Sequence, residues 1–139
     1  MVTVGVWLTL DAVLDNVISD QIQSGDADLH VVERSTDLRQ RGWALNKTHP
    51  LRGQGPVGWP PLEAPFPIAL DGAELTFLLG AVEADIRVTE DLLAREVMRD
   101  AWGPAVDSSS GRSQVRNEQE ASLAGLELAR VEVIQLLRA

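Results

Sequence analysis

The residues best placed to do chemistry in this chain are cationic and sit close together. Arg34, Arg39, Arg41, Lys47 and Arg52 fall within residues 34–52 beside a single acid, Asp37. Residues 1–33 hold six acids (Asp11, Asp15, Asp20, Asp26, Asp28 and Glu33) and no Lys or Arg, and residues 53–139 hold fourteen acids against seven Arg. The net charge of −9 therefore contains one basic segment. Guanidinium groups grip carboxylates and phosphates through forked hydrogen bonds. Trp43 and Trp59 flank the segment, as aromatic residues flank Arg at interface anchors. Arg39, Arg41, Trp43, His49, Arg52 and Trp59 are accordingly the candidate partner-binding residues. The same bases have an internal use, since they can neutralise Asp11, Asp15 and Asp20.

Catalytic patterns are sparse. With no Cys in the chain, disulfides, thiolate metal sites and Cys nucleophiles are excluded. The two histidines, His30 and His49, fit no zinc spacing. His49 is the better functional candidate, because it lies among Arg41, Lys47 and Arg52 on an expected loop. Gly53-Gln54-Gly55-Pro56-Val57-Gly58 matches the letters of a dinucleotide fingerprint. Pro56 lies inside it, however, and Trp59-Pro60-Pro61 follows where a helix must start, so the stretch reads as a turn-rich loop. Ser108 to Ser110 fall on a polar connection with no nucleophile elbow. The pairs Glu83-Asp85, Glu90-Asp91 and Glu118-Glu120 fit helix starts and solvated faces. No catalytic, cofactor or metal residue is assigned.

These groups must be held by elements, and the spacing of apolar residues supplies them. Val2, Val4, Val6 and Leu8 alternate with Thr3, Gly5, Trp7 and Thr9, predicting a strand. From Leu10 the spacing changes to that of a helix, through Val13, Leu14, Val17, Ile18 and Ile22. Thr9 is the expected N-cap, and Gly25 the stop. A competing reading runs one helix from Val4, against Gly5 and the β-branched run. Leu29–Glu33 reads as a short strand that includes His30. Residues 35–65 carry many Gly and Pro and read as a basic arm, in which only Trp43-Ala44-Leu45 could pair as a strand. Phe66–Leu70 is one more strand candidate, limited by Pro67.

Beyond residue 70 the pattern is helical. Asp71 and Glu74 form a capping-box start, followed by Leu75, Leu78, Leu79, Val82 and Ile86. Thr89 is the expected N-cap of a separate helix containing an Asp91–Arg95 pair, ended by Gly103-Pro104. Residues 105–116 read as a connection, and Asn117 with Glu120 opens a last helix through Leu123, Leu126, Leu128, Val131, Ile134 and Leu137. Four Trp accompany two Phe and no Tyr. Core packing explains Trp7 and Trp102, whereas Trp43 and Trp59 lie in the arm, where a partner can receive them.

The fold expected is α+β: a small N-terminal β-containing unit with one helix, packed on three C-terminal helices. Residues 1–139 form a single domain, comprising 1–34 as strand-helix-strand, 35–65 as the Pro/Gly-rich basic arm and 66–139 as a mainly helical part. The apolar stretch Val2–Leu10 has no basic residues before it and Asp11 ends it, so neither a signal peptide nor a membrane span is expected. A soluble, cytoplasmic protein follows. The acidic balance argues against nucleic acid as partner. The favoured function is a non-catalytic interaction or assembly subunit that binds a protein partner or its own copies. One alternative is an acidic inhibitor or immunity-type protein covering a basic partner with Asp11, Asp15 and Asp20. Another is a small enzyme with a cleft near His49.

Overall fold

Thr3, not Thr9, begins the first helix. In the computed structural model, which describes residues 2–102 and 109–139 and side chains over 2–98 and 115–139, β1 is only Val2–Thr3 and α1 runs Val4–Gln23. The Thr3 hydroxyl accepts a hydrogen bond from the Val6 N–H at 3.3 Å. The alternation of Val2 to Leu8 is thus overridden, and the competing helix reading is the one observed. Val4, Val6, Trp7, Leu10, Val13 and Leu14 are all buried on α1. Burying each Val is worth about 1.5 kcal/mol or more, whereas a β-branched residue costs a helix only about 0.5 kcal/mol, so burial decides.

The first-turn N–H groups of α1 have no partners inside the helix. The Val4 N–H donates to Ala64 O and the Gly5 N–H to Leu62 O, both at 2.9 Å. Two residues later β2 (Pro65–Phe66) pairs antiparallel with β1, Val2 opposite Phe66 and Thr3 opposite Pro65. The connection after residue 48 therefore folds back and closes the start of the chain. Of the expected strand Phe66–Leu70, only Phe66 pairs.

Residues 29–48, expected as a strand and the first part of the arm, form α2 (Leu29–Thr48). Asp28 caps it, its Oδ1 accepting from the His30 N–H at 3.0 Å. His30 is consequently an exposed first-turn helix residue, not a strand residue. Trp43-Ala44-Leu45 is likewise helical. The inner face of α2 carries Ser35, Leu38 and Gly42, all buried. A side chain at Gly42 would collide with the Trp7 indole, so glycine is what lets the two helices approach. The Trp7 Nε1–H and the Ser35 hydroxyl are buried there without hydrogen-bond partners.

α3 is one helix, Gly72–Trp102. Its capping box forms as expected: the Glu74 N–H donates to Asp71 Oδ1 at 2.8 Å and the Asp71 N–H to Glu74 Oε1 at 3.0 Å. Thr89 does not start a new helix, because its hydroxyl donates back to Asp85 O at 2.9 Å, within the continuing turn. α4 (Ser109–Arg138) begins ahead of the expected Asn117 cap and takes in Ser109 to Arg116, expected as a connection. The Gly103-Pro104 stop, Ser108 and the packing of Trp102 lie outside the described residues.

The result is a small α+β fold, four helices with a two-stranded ribbon. α1 lies against α2 on one side and against α3 and α4 on the other. One apolar core joins Trp7, Leu10, Leu14, Leu38, Phe66, Leu78, Val82, Leu126 and Val133. Asn16 Nδ2 donates to Asp85 Oδ2 at 3.1 Å, tying α1 to α3. Among the described residues no helix is long and apolar enough to cross a membrane.

Candidate functional site

The basic segment is largely spent on the chain itself. From α2, Arg39 reaches across to α1, with Nε 3.0 Å from Asp11 Oδ1 and Nη1 2.8 Å from Asp15 Oδ1. Desolvation pulls the Arg39 pKa down, but hydrogen bonds and charge from Asp11 and Asp15 outweigh it and the net shift is upward. Asp11 and Asp15 are thus neutralised internally. Asp20 instead lies close enough to Asp85 for its charge to be felt there.

Arg41 turns to the other side of α2. Its Nη2 is 2.7 Å from Glu74 Oε2 and 3.1 Å from Asp37 Oδ2, and its Nη1 donates to Ala69 O at 3.0 Å. The hydrogen bond to Glu74 is the main cause of a raised Arg41 pKa. The same bond, against desolvation, lowers that of Glu74. Arg41 thus clamps α2 to the capped start of α3. Arg34 sits over the Phe77 ring, 5.5 Å from its centroid. An open cleft of about 660 Å³ between these helices is walled by His30, Arg34, Asp37, Glu74 and Phe77. Asp37 and Glu74 of its wall are already bound by Arg41.

His49 is held at both ring nitrogens. Nδ1 accepts from the Leu51 N–H at 3.1 Å, which leaves Nε2–H to donate to Pro65 O at 2.9 Å. The ring stacks on Phe66 at 6.3 Å, and Trp59 meets the same Phe66 ring at 6.0 Å in a tilted contact. His49 and Trp59 are therefore brought together through Phe66, as parts of the fold's closure. Arg52 is exposed and donates to Lys47 O at 3.4 Å. Trp43 is 41% exposed, with the Arg39 guanidinium 4.8 Å above its ring. Of the six sequence candidates, Trp43 and Arg52 face solvent most openly.

The Gly53–Gly58 stretch is a closed turn. Gly53 N–H donates to Gly58 O at 3.1 Å and Gly55 N–H to Trp59 O at 2.7 Å. A Cβ on Gly55 would run into the Pro60 carbonyl. Val57, at the tip, has φ 53°, a left-handed conformation that costs a β-branched residue about 1–2 kcal/mol. Among the described residues no three His, Cys, Asp or Glu side chains converge as a metal-holding group.

A different surface stands out on α3 and α4. At 31 residues α3 is about 46 Å long, against about 30 Å for the 20-residue α1. Among the residues whose side chains are described, the buried apolar residues of α3 (Leu75, Leu78, Val82, Ile86) end at Ile86, and those of α4 (Leu126, Ala129, Val133) begin at Leu126. Beyond them, among the described residues, the pair continues without a third helix. Val88, Leu92 and Met98 are 57%, 40% and 61% exposed there, and Val97 and Val115 are exposed too. A hollow of about 360 Å³ on the outer side of α3 is lined by Asp91, Ala94, Arg95 and Met98. Sequence reasoning missed this surface because it broke α3 at Thr89. The recurrence of Val88, Leu92 and Met98 beyond Ile86 was the available signal. No protein-family model, curated protein or solved structure matches this chain.

Proposed function

We propose that this protein is a non-catalytic assembly subunit that binds another protein chain through the distal half of its α3–α4 hairpin. One observation carries the reading: α3 continues well past its last described buried apolar residue, Ile86, and there Val88, Leu92, Val97 and Met98 are exposed close together on one helix, where a lone monomer gains nothing by exposing them. The basic segment lends less support than its composition suggested, because Arg39 and Arg41 are matched within the chain. The inhibitor alternative also draws less support, since Arg39 occupies Asp11 and Asp15. The absence of Cys fits a cytoplasmic setting.

The test is the size of the tagged chain in extracts of its native cells. The expected result is an assembly larger than the single chain, reduced to the single chain by Val88→Asp with Leu92→Asp. Both positions are exposed, so far-UV circular dichroism should be unchanged. A lone wild-type chain, or an assembly untouched by that double variant but lost in Trp43→Ala with Arg52→Glu, would overturn the proposal.

A further inference from the structure

We infer that the outer face of α4, across that helix from the core, docks an amphipathic helix with basic flanks. The inference goes beyond the distal surface and uses a different part of the hairpin. Asn117, Ala121, Ala124, Leu128, Val131 and Gln135 are spaced alternately by four and three residues, and all are exposed. At about 100° per residue they fall within an arc of about 80°, across the helix from the buried Leu126, Ala129 and Val133. Polar Asn117 and Gln135 close the two ends. Between them, Ala121 to Val131 is an apolar stripe about 15 Å long, on which Leu128 is 56% and Val131 48% exposed. This is the spacing of a coiled-coil seam, and the two alanines let a second helix come close.

The charges beside the stripe select the occupant. The flanking positions along it are Glu118, Glu120, Gly125, Glu127, Glu132 and Ile134, which include no base. Among the described residues no cation lies within ion-pair distance of Glu120, Glu127 or Glu132. Arg130 lies toward α3, 3.9 Å from Glu83, and Arg138 follows Gln135, past the end of the stripe. A second copy on this face would bring carboxylates to carboxylates, with no flanking base on either copy to answer them. The net charge of −9 adds to that repulsion. A helix with Lys or Arg on its own flanks instead meets opposite charge on both borders of the seam. The same carboxylates turn acidic helices away. Apolar anchors at helical spacing supply the contact, and the borders choose the partner.

The experiment is fluorescence anisotropy of the purified full chain with two labelled synthetic peptides of about 21 residues, both with Leu at the seam positions, one with Lys and the other with Glu at the flanks. The Lys peptide is expected to bind, and the Glu peptide to bind on the order of a hundredfold more weakly. Leu128→Asp with Val131→Asp should weaken the Lys peptide by about tenfold or more. Glu127→Lys with Glu132→Lys should reverse the preference toward the Glu peptide. Circular dichroism should show both double variants folded. Val88→Asp with Leu92→Asp, on the distal surface, should leave both peptide affinities as they are. Equal affinity for the two peptides, binding indifferent to Leu128 and Val131, a preference that the lysine variants do not reverse, or binding lost with Val88 and Leu92 would each overturn the inference. So would a dimeric wild type reduced to the single chain by Leu128→Asp, which would give the face to a second copy. The distal reading is untouched by any of these peptide results, because its own test is the native assembly in the Val88 and Leu92 variant.

Discussion

The two halves of the α3–α4 hairpin make the clearest comparison in the molecule. From Leu75 to Ile86, α3 packs under α1 and its apolar stripe is buried. From Val88 to Met98 no residue of the same helix is fully buried, and Leu93 is only partly so. The apolar pattern continues across this change although its cover does not. A two-helix seam hides only one side of each helix, so residues flanking that seam stay wet unless something else arrives. Continued helix therefore does not imply continued core.

The largest expected effect tests this directly. Leu78→Ala, in the covered half, should lower unfolding free energy by about 2–5 kcal/mol. Leu92→Ala, in the open half, should change it by about 0.5 kcal/mol or less in the monomer. Urea denaturation of both variants at low protein concentration measures the difference, and equal losses would abolish the distinction.

A single substitution type gives the next contrast. Gly42→Ala puts a methyl group against the buried Trp7 indole and should cost about 1–3 kcal/mol. Gly80→Ala lies on the exposed side of α3 with nothing within 4 Å of the new carbon. It should gain about 0.5–1 kcal/mol through helix propensity. Thermal unfolding reads the opposite signs.

How far the chain announces this structure depends on which residues carry each element. Asp71 and Glu74 are a local signal, read from four residues, and the capping box forms as spaced. The stripe Leu75–Ile86 was equally plain. α2 was invisible because its inner face includes Ser35 and Gly42, which are buried for their small size and not their polarity. α1 was misread over its first turn because Val and Thr favour strands locally, whereas Trp7 and Phe66 meet only in three dimensions. The outcome at Arg39 is legible as an option, since a basic segment beside an acidic one can neutralise Asp11 and Asp15 within the chain. The distal hairpin surface was not, because Thr89 has the chemistry of a cap and only the uninterrupted ladder beneath it shows otherwise.

The smallest effects come from two α3 carboxyls shifted in opposite directions. Arg41 holds Glu74 below its ordinary 4.5. The stability this contributes is present above 4.5 and fades as pH falls through the lowered value. Glu74→Gln should thus cost about 1 kcal/mol at neutral pH, with the gap closing on acidification. Asp85 is raised above 3.8, chiefly by burial and further by the charge of Asp20, against the Asn16 hydrogen bond. Its ionised form works against folding above that raised value. Asp85→Asn keeps an acceptor for Asn16 and should gain about 0.5 kcal/mol or less at neutral pH, a gain that disappears in acid. Urea midpoints across a pH series separate the two: a gain in Glu74→Gln would contradict the first assignment, and a loss in Asp85→Asn the second.

Phe66 has a consequence for the order of assembly. It stacks on Trp7 at 5.8 Å and on His49 at 6.3 Å, and meets Trp59 at 6.0 Å. On the ribosome, α1 and α2 emerge before it. Until translation passes residue 66, the nascent α1–α2 pair has one face of its indole open to water and its leading N–H groups unclaimed. A growing chain at that stage is a half-built shelter, completed only when a later piece of sequence returns to the beginning.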